Sequence, residues 1–263
     1  MPEGDTVWRA AKRMHDALAG DVITVSDFRV PRLATADLTG RQVLEVVPRG
    51  KHLLTRIDGG LTLHTHLEMD GSWRVFNAGE RWSGGPAHEI RIVLGTERRT
   101  AVGYRIPVID LVETVDEPAV VGHLGPDLLD SEFDATEALR RLEAMPDVGI
   151  ADALLDQRNL AGIGNVYKSE VLFLSGVDPW TRTGNVADLS KMVDLARRLM
   201  VANRDRETRV TTGVRRPGEQ TWVYGRAGRP CRRCGTAVSR RIQGDQGRER
   251  VTFWCPTCQP ASR

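Results

Sequence analysis

The spacing of apolar residues changes along the chain, and each change marks a different kind of structure. After Gly4, apolar residues recur every three or four positions as far as Leu18, which predicts an amphipathic helix that Gly20 ends. Between residues 22 and 115, apolar and polar residues alternate in short runs separated by glycine-rich turns. These runs predict seven or eight strands, at residues 22–25, 43–47, 53–57, 61–67, 73–76, 90–94 and 108–115. Many short strands at regular spacing favour a β-sandwich.

A second change follows residues 122–126, a segment rich in glycine and proline. Helical spacing returns beyond it, in residues 135–145, 150–155, 166–174 and 189–201. The order of elements is therefore helix, β-sandwich, helical bundle and a C-terminal cysteine-rich hairpin, which is an α+β multidomain organisation. We expect three domains, at residues 1–122, 123–225 and 226–263.

The composition is that of an ordinary globular protein, with 40% hydrophobic and 27% charged residues and a net charge of +2. No apolar run approaches the roughly 18 residues that a membrane span needs. No apolar signal segment precedes the first helix. We therefore expect a cytoplasmic protein that does not contact a membrane.

The four cysteines of the chain form two pairs, Cys231-x-x-Cys234 and Cys255-x-x-Cys258. This spacing is typical of a tetrahedral zinc site with four thiolate ligands. A disulfide framework is the alternative, but such frameworks belong to small secreted domains. The segment from residue 226 onward is too short to bury a sufficient core. Structural zinc, which contributes about 10–16 kcal/mol, would supply the missing stability.

Arginine is concentrated around the two cysteine pairs. The basic residues are Arg226, Arg229, Arg232, Arg233, Arg240, Arg241, Arg248 and Arg250, opposed by Asp245 and Glu249. A metal-pinned hairpin with this many guanidinium groups predicts a phosphate-binding surface. A basic face that only contacts solvent is the alternative.

The chain begins Met1-Pro2-Glu3-Gly4. Removal of Met1 would leave Pro2 with a free secondary amine, whose pKa of about 8 leaves a neutral fraction near pH 7. Such an amine can attack an aldehyde-level carbon and form an iminium, and Glu3 could move the protons. Alternatively, Pro2 simply suits the first position of a helix and Glu3 the positive end of its dipole.

Lys51, in the sequence Arg49-Gly50-Lys51-His52, is a second candidate. A lysine at this place could contact phosphate or assist an elimination. It could also be an ordinary lysine at an exposed strand edge.

The segment 156–166 lies between two predicted helices and contains Gly162, Gly164 and Asn165. The glycines would let backbone amides approach an anion at the start of the next helix, which predicts a phosphate cradle. The alternative is a tight turn between helices with Asn165 as its cap and no ligand.

Met69 lies in the turn of residues 67–71 and could insert into a base stack, although a methionine beside a turn more often covers the core. On the preceding strand, His64 and His66 share one face. They lack an evident third ligand, so we expect no metal there.

Four motifs in this order resemble the formamidopyrimidine-DNA glycosylase and endonuclease VIII family over the whole chain: residues 1–4, 49–51, 162–167 and 250–259. The resemblance implies a helix-two-turn-helix in the helical domain and a zinc-finger β-hairpin at the C-terminus. It also implies damaged DNA as the partner, one structural zinc ion and no organic cofactor. The reaction would be removal of an oxidised base followed by nicking of the abasic strand, and we expect a monomer.

The resemblance also implies a role for individual residues. Pro2 would be the nucleophile that attacks C1′, and Glu3 the acid that helps to open the sugar. Lys51 would assist β-elimination. Asn165 would grip phosphate, and Arg250 would contact phosphates and support δ-elimination.

The expected substrate class depends on a few residues that differ between branches of this family. The opening residues 2–6 resemble the endonuclease VIII branch, which prefers oxidised pyrimidines, whereas Met69 resembles the wedge residue of the purine-directed branch. His123 stands where endonuclease VIII proteins can carry arginine, so a phosphate contact there would be weaker and pH-dependent. Oxidised pyrimidines are the predicted substrate. An oxidised-purine glycosylase and a zinc-ribbon DNA-binding protein without catalysis remain the alternatives.

Overall fold

The computed structural model describes residues 2–244 and 249–261. The chain separates into two compact units, Met1–His123 and Leu124–Arg263. The further boundary expected at residue 226 stays a prediction, as does the placement of His123 in the second domain.

The first unit opens with helix α1 (Gly4–Leu18), as the spacing of apolar residues predicts. Its buried face includes Val7, Met14 and Leu18. The helix ends before Gly20, whose φ of +85° is a conformation that glycine adopts without steric cost.

Eight strands follow: β1 (Val25–Phe28), β2 (Val43–Arg49), β3 (His52–Ile57), β4 (Leu61–His66), β5 (Ser72–Asn77), β6 (Ile90–Gly95), β7 (Arg99–Tyr104) and β8 (Val108–Glu113). They form two four-stranded antiparallel sheets, in the orders β1-β6-β7-β5 and β2-β3-β4-β8. One apolar core joins residues of α1 and of both sheets. The predicted sandwich is confirmed.

Two details of the predicted strands are wrong. The strand expected at residues 22–25 begins only at Val25, and Val22 forms an isolated bridge with Gln42. Strand β7 was not predicted, because five of its six residues are buried and it has no alternation of polar and apolar positions. A short helix, α2 (Glu117–Val121), was also not predicted.

The described part of the second unit contains four α-helices, α3 (Ala135–Glu143), α4 (Ile150–Leu155), α5 (Asn165–Ser175) and α6 (Leu189–Asn203), and a hairpin of β9 (Ser239–Gln243) and β10 (Arg250–Trp254). These bounds confirm the predicted helices to within two residues at each end. Helix α5 is buried from Asn165 to Phe173, so it lacks a solvent-exposed face over most of its length. None of the helices in the described ranges is both long and apolar enough to cross a bilayer.

The hairpin region and the helices of the second unit share a core. Phe173 of α5 packs with Val223, Cys231, Val238 and Cys255 in one buried cluster. The cysteine pairs are therefore built directly against α5.

Candidate functional site

The N-terminal segment places an acid inside the protein next to a partly exposed proline. Glu3 is the N-cap of α1, and its backbone carbonyl accepts hydrogen bonds from Thr6 N at 2.9 Å and Val7 N at 3.1 Å. The Glu3 side chain is fully buried beside the positive end of the helix dipole. Pro2 precedes the cap, so it does not occupy the first helical position, and that explanation for the proline is wrong.

Lys51 lies in the loop that joins β2 and β3. Arg49 pairs with His52, which leaves Gly50 and Lys51 as a two-residue loop. Gly50 has a φ of +61°, and a positive φ at the first loop position is what a type II′ hairpin turn requires. Lys51 therefore lies in a tight turn and is partly buried, so the alternative of an exposed strand-edge lysine is wrong.

A group of histidines lies next to this loop. His52 pairs across the sheet with His66, and its Nδ1 lies 2.8 Å from Nε2 of His64. Nδ1 of His64 lies 3.1 Å from a carboxylate oxygen of Asp110. The ring of the exposed His123 lies 6.1 Å from that of His52. The sequence showed only His64 and His66 together, because the β3–β4 register that adds His52 is not visible in it.

These imidazoles resist protonation. Burial, followed by the nearby charges of His66 and the other histidines and of Lys51, lowers the pKa of His52 to about 3. Burial and Lys51 lower the pKa of His66 to about 4. Burial also lowers the pKa of His64, although Asp110 opposes the shift. At neutral pH the three rings are therefore uncharged hydrogen-bonding groups beside Lys51.

The lowered pKa of His52 predicts a stability that depends on pH. In the unfolded chain His52 binds a proton near pH 6.5, whereas in the folded chain it does so only near pH 3. The stability that the neutral His52 ring gives the folded state is thus complete above pH 6.5 and is lost as the pH falls towards 3. We expect urea unfolding to show a loss of about 1–2 kcal/mol from this site between pH 6.5 and pH 5.

The variant His52→Phe should lose less stability over the same pH interval. His88→Phe, at an exposed histidine of the same unit, is the matched control and should follow the wild type. Identical pH slopes for the wild type and His52→Phe would contradict the assignment.

The turn at Met69 projects a methionine into solvent. Gly71 N donates to the carbonyl of Leu67 at 2.9 Å, and Glu68 adopts a φ of +47°. Met69 is 55% exposed, so the interpretation that it covers the core is wrong. An exposed apolar side chain at the tip of a tight turn can act as a wedge between bases.

Only part of the predicted phosphate cradle has backbone amides that could bind an anion. Gly162 has a φ of +94°, but its amide donates to Oε1 of Gln157 at 3.1 Å, and Nε2 of Gln157 donates to Ile163 O at 3.0 Å. The amide of Gly162 is therefore used inside the loop, and the expectation that it faces an anion is wrong. The positive end of α5 still provides a favourable place for an anion.

Asn165 is the first residue of α5, and Gly164 is the N-cap, so the alternative of an asparagine cap is also wrong. Nδ2 of Asn165 donates to the carbonyl of Val251 in β10 at 2.8 Å. Its Oδ1 is buried without a hydrogen-bond partner in the described part of the chain. Asn165 thus links the start of α5 to the hairpin.

The four cysteines converge as a metal site requires. Their sulfur atoms all lie within 4.8 Å of one another, with Cys231 and Cys258 at 4.0 Å and Cys234 and Cys255 at 3.4 Å. Zinc–sulfur bonds of about 2.3 Å in a tetrahedron place the sulfurs about 3.8 Å apart. All four thiols are free of disulfides. The donor set and spacing therefore fit a tetrahedral four-thiolate ion.

One arginine of the basic run around the cysteines is buried and takes no part in an exposed surface. Arg226 is buried and donates to Trp222 O at 2.6 Å and Pro230 O at 2.8 Å, so its predicted role in phosphate binding is wrong. Arg233 lies over the ring of Phe173 at 4.5 Å. Arg250 is exposed at the start of β10. Arg248 and Asp245 lie outside the described residues.

Two family models match this architecture. Residues 1–105 match the formamidopyrimidine-DNA glycosylase N-terminal domain, and residues 124–201 match the formamidopyrimidine-DNA glycosylase H2TH domain. The chain belongs to the formamidopyrimidine-DNA glycosylase family. The family resemblance seen in the sequence is thereby confirmed, and so is the helix-two-turn-helix of the second unit.

Relatives that match the chain over its full length are named endonuclease 8 or abasic-site lyase. A protein of Streptomyces coelicolor named probable endonuclease 8 2 is 64% identical over all of this chain and 96% of its own length. The DNA-(apurinic or apyrimidinic site) lyase Nei2 of Mycolicibacterium smegmatis is 46% identical over the full length of both chains.

Solved structures of the family have the same fold. The Lactococcus lactis formamidopyrimidine-DNA glycosylase in complex with DNA containing N7-benzyl-Fapy-dG superposes with a TM-score of 0.81. It is 23% identical to this chain, with 99% of this chain and all of the other covered. A complex of the same enzyme with DNA containing an abasic site also has a TM-score of 0.81.

Proposed function

We propose that the chain is a bifunctional DNA glycosylase and abasic-site lyase that excises oxidised pyrimidines. Family membership supports the reaction class, and the names of the full-length relatives support the endonuclease VIII type. The observation that carries the proposal is the buried carboxyl of Glu3 directly after Pro2, in a position where helix geometry does not require a proline.

In the first chemical step, the mature amine of Pro2 attacks C1′ of the damaged nucleotide. Glu3 donates a proton to the ring oxygen as the C1′–O4′ bond breaks and the N–C1′ bond forms. The Pro2 nitrogen then gives up its proton to the base, which leaves with the electron pair of the glycosidic bond, and the freed nitrogen lone pair completes an iminium. A partly exposed amine in front of a buried acid suits this order of events.

The iminium is an electron sink for strand cleavage. Loss of a C2′ proton expels the 3′ phosphate by β-elimination, and a second elimination expels the 5′ phosphate. Water then hydrolyses the remaining iminium and frees Pro2. Lys51 would assist the first elimination, and the neutral rings of His52 and His66 beside it leave Lys51 as the cationic group of that turn.

DNA would be held through its phosphates and opened by a wedge. Arg250, Asn165 and the exposed His123 are the proposed phosphate contacts, and Met69 would fill the space left by the extruded base. Extrusion costs a few kcal/mol and less for a damaged pair. We further propose that the protein acts as a monomer, and its cytoplasmic location stays a prediction.

The four cysteines would hold one structural zinc ion. When bound, the ion supplies a rigid tetrahedral link between the two Cys-x-x-Cys turns and takes no part in the reaction. The hydroxyl of Thr236, two residues after Cys234, lies 2.8 Å from that of Thr257, between Cys255 and Cys258.

Borohydride reduction tests the proposal. Incubation with thymine-glycol DNA should give a covalent adduct whose mass shift lies on the N-terminal peptide that begins at Pro2. A matched oligonucleotide with 8-oxoguanine, scored for base release and nicking, should react more slowly. Preference for the purine lesion would favour the alternative substrate class. DNA binding without any adduct would favour the zinc-ribbon protein without catalysis.

Lys51→Ala should separate the two halves of the reaction. Without its amine, strand nicking should fall roughly tenfold, whereas the borohydride adduct at Pro2 should form within about threefold of the wild-type rate. The comparison uses single-turnover nicking and trapping on the same abasic oligonucleotide. Lys12→Ala removes an exposed lysine of α1, paired with Asp16 at 2.8 Å, and should change neither rate. Equal losses of trapping and nicking in Lys51→Ala would contradict the assigned role.

A further inference from the structure

Helix α5 carries a lysine in its buried interior. Lys168 is fully buried and lies one turn after Asn165. Its Nζ donates a hydrogen bond to Oγ1 of Thr252 in β10 at 2.6 Å, and Thr252 is also fully buried. No step of the proposed reaction uses this amine.

The hydrogen bond of Lys168 is the first of three in series. Oγ1 of Thr252 donates to Oε1 of Gln243 in β9 at 2.8 Å, and Nε2 of Gln243 donates to Oδ2 of Asp152 in α4 at 2.9 Å. The series therefore runs from an amine to a carboxylate and joins α5, both strands of the hairpin and α4. Because Thr252 and Gln243 are buried, removal of either end leaves polar groups without their partner in a place that water does not reach.

Two members of the series are neighbours of Arg250 in the hairpin. Gln243 is the cross-strand partner of Arg250, and cross-strand partners project to the same side of a sheet. Thr252 is two residues further along β10 and therefore shares that side as well. The intervening main chain is held by Nδ2 of Asn165, which donates to Val251 O at 2.8 Å. Two neighbours of Arg250 on this face, Gln243 and Thr252, thus belong to a hydrogen-bonded series that ends on helices α4 and α5.

We propose that Lys168 is a positioning residue that fixes Arg250 beside the first turn of α5, so that the two form one phosphate-binding surface. This inference rests on the proposed function. Lys168 is fully buried and would act through Thr252 and Gln243, whereas the exposed Arg250 would meet the phosphate.

The test compares DNA affinities and their dependence on salt. Each phosphate contact that releases a counterion adds about one unit to the slope of log affinity against log salt. The probe is a duplex with a tetrahydrofuran abasic-site analogue, which binds without being cleaved. Arg250→Ala and Lys168→Met should each weaken binding roughly tenfold and lower the slope by about one. Lys191→Met, at an 87% exposed lysine of α6, is the matched control and should stay within about twofold of the wild type.

The double variant decides how Lys168 acts. If Lys168 works through Arg250, adding Lys168→Met to Arg250→Ala should weaken binding less than about twofold further. Losses that multiply, or an unchanged salt slope in Lys168→Met, would overturn the inference. A wild type that neither binds the duplex nor forms the Pro2 adduct would instead overturn the proposed function.

A second pair of variants covers the case in which Lys168→Met does not fold. Thr252→Val removes the hydroxyl that links Lys168 to Gln243 and should reproduce the loss of affinity and slope. Thr252→Ser keeps the hydroxyl and should retain the wild-type affinity and salt slope. Equal affinities and salt slopes in Thr252→Val and Thr252→Ser would overturn the inference, because only Thr252→Ser keeps the hydroxyl that links Lys168 to Gln243.

Discussion

Glu3→Gln is expected to slow base excision by roughly two to four orders of magnitude, the usual contribution of a positioned general acid. The substitution keeps the size of a side chain that is fully buried at the start of α1. The amide cannot deliver a proton to the ring oxygen as the sugar opens. Single-turnover release of thymine glycol measures the effect directly.

Two comparisons make this result specific. Binding of Glu3→Gln to the uncleavable tetrahydrofuran duplex should stay close to that of the wild type, because the carboxyl lies inside the protein. Glu143→Gln, the same substitution at the exposed end of α3, should leave excision unchanged. An excision rate in Glu3→Gln within threefold of the wild type would show that the acid is another group.

Cys255→Ser should abolish DNA binding while leaving the Pro2 amine chemically intact. Cys255 is fully buried in the core that contains Phe173, and a structural zinc ion contributes about 10–16 kcal/mol to a fold of this kind. Loss of the ion should release β10 and with it Arg250. We expect the dissociation constant for abasic-analogue DNA to rise more than about 100-fold, equivalent to about 3 kcal/mol.

Zinc content, DNA affinity and labelling of the N-terminal amine by a small aldehyde are the three measurements. Thr257→Ser is the matched control, because it keeps the hydroxyl that meets Thr236 at 2.8 Å, and it should retain both zinc and DNA binding. Normal DNA affinity in a zinc-free Cys255→Ser protein would mean that the hairpin does not depend on the metal.

Much of this architecture could be predicted from the sequence, because α1 has one buried and one exposed face and most strands are short runs of alternating or apolar residues between turns. Strand β7 could not, because it lies between β6 and β5, and its side chains enter two different cores. Ala101 joins the core beneath α1, whereas Val102 and Tyr104 join a second cluster. Burial on both faces removes the alternation on which strand prediction depends.

The site was predictable where local motifs define it and less so where tertiary partners do. Pro2, Glu3 and the cysteines are recognisable from their order alone. The buried charges of α5 are not, because a lysine and a glutamate in a helix normally indicate a solvent-exposed face. Glu170 instead accepts backbone hydrogen bonds from Trp222, Val223 and Tyr224 at 2.7–2.9 Å, in a segment far along the chain.

The common core of α5 and the cysteine pairs has a consequence for protein engineering and for evolution by domain exchange. Phe173 and Val223 would lose their covering if the hairpin were transplanted or deleted, because Cys231 and Cys255 form part of the same apolar cluster. A chimera that takes its hairpin from another family member must therefore inherit matching residues at positions 173 and 223. The cysteine-rich hairpin is therefore not an independent module, and its sequence must evolve together with that of α5.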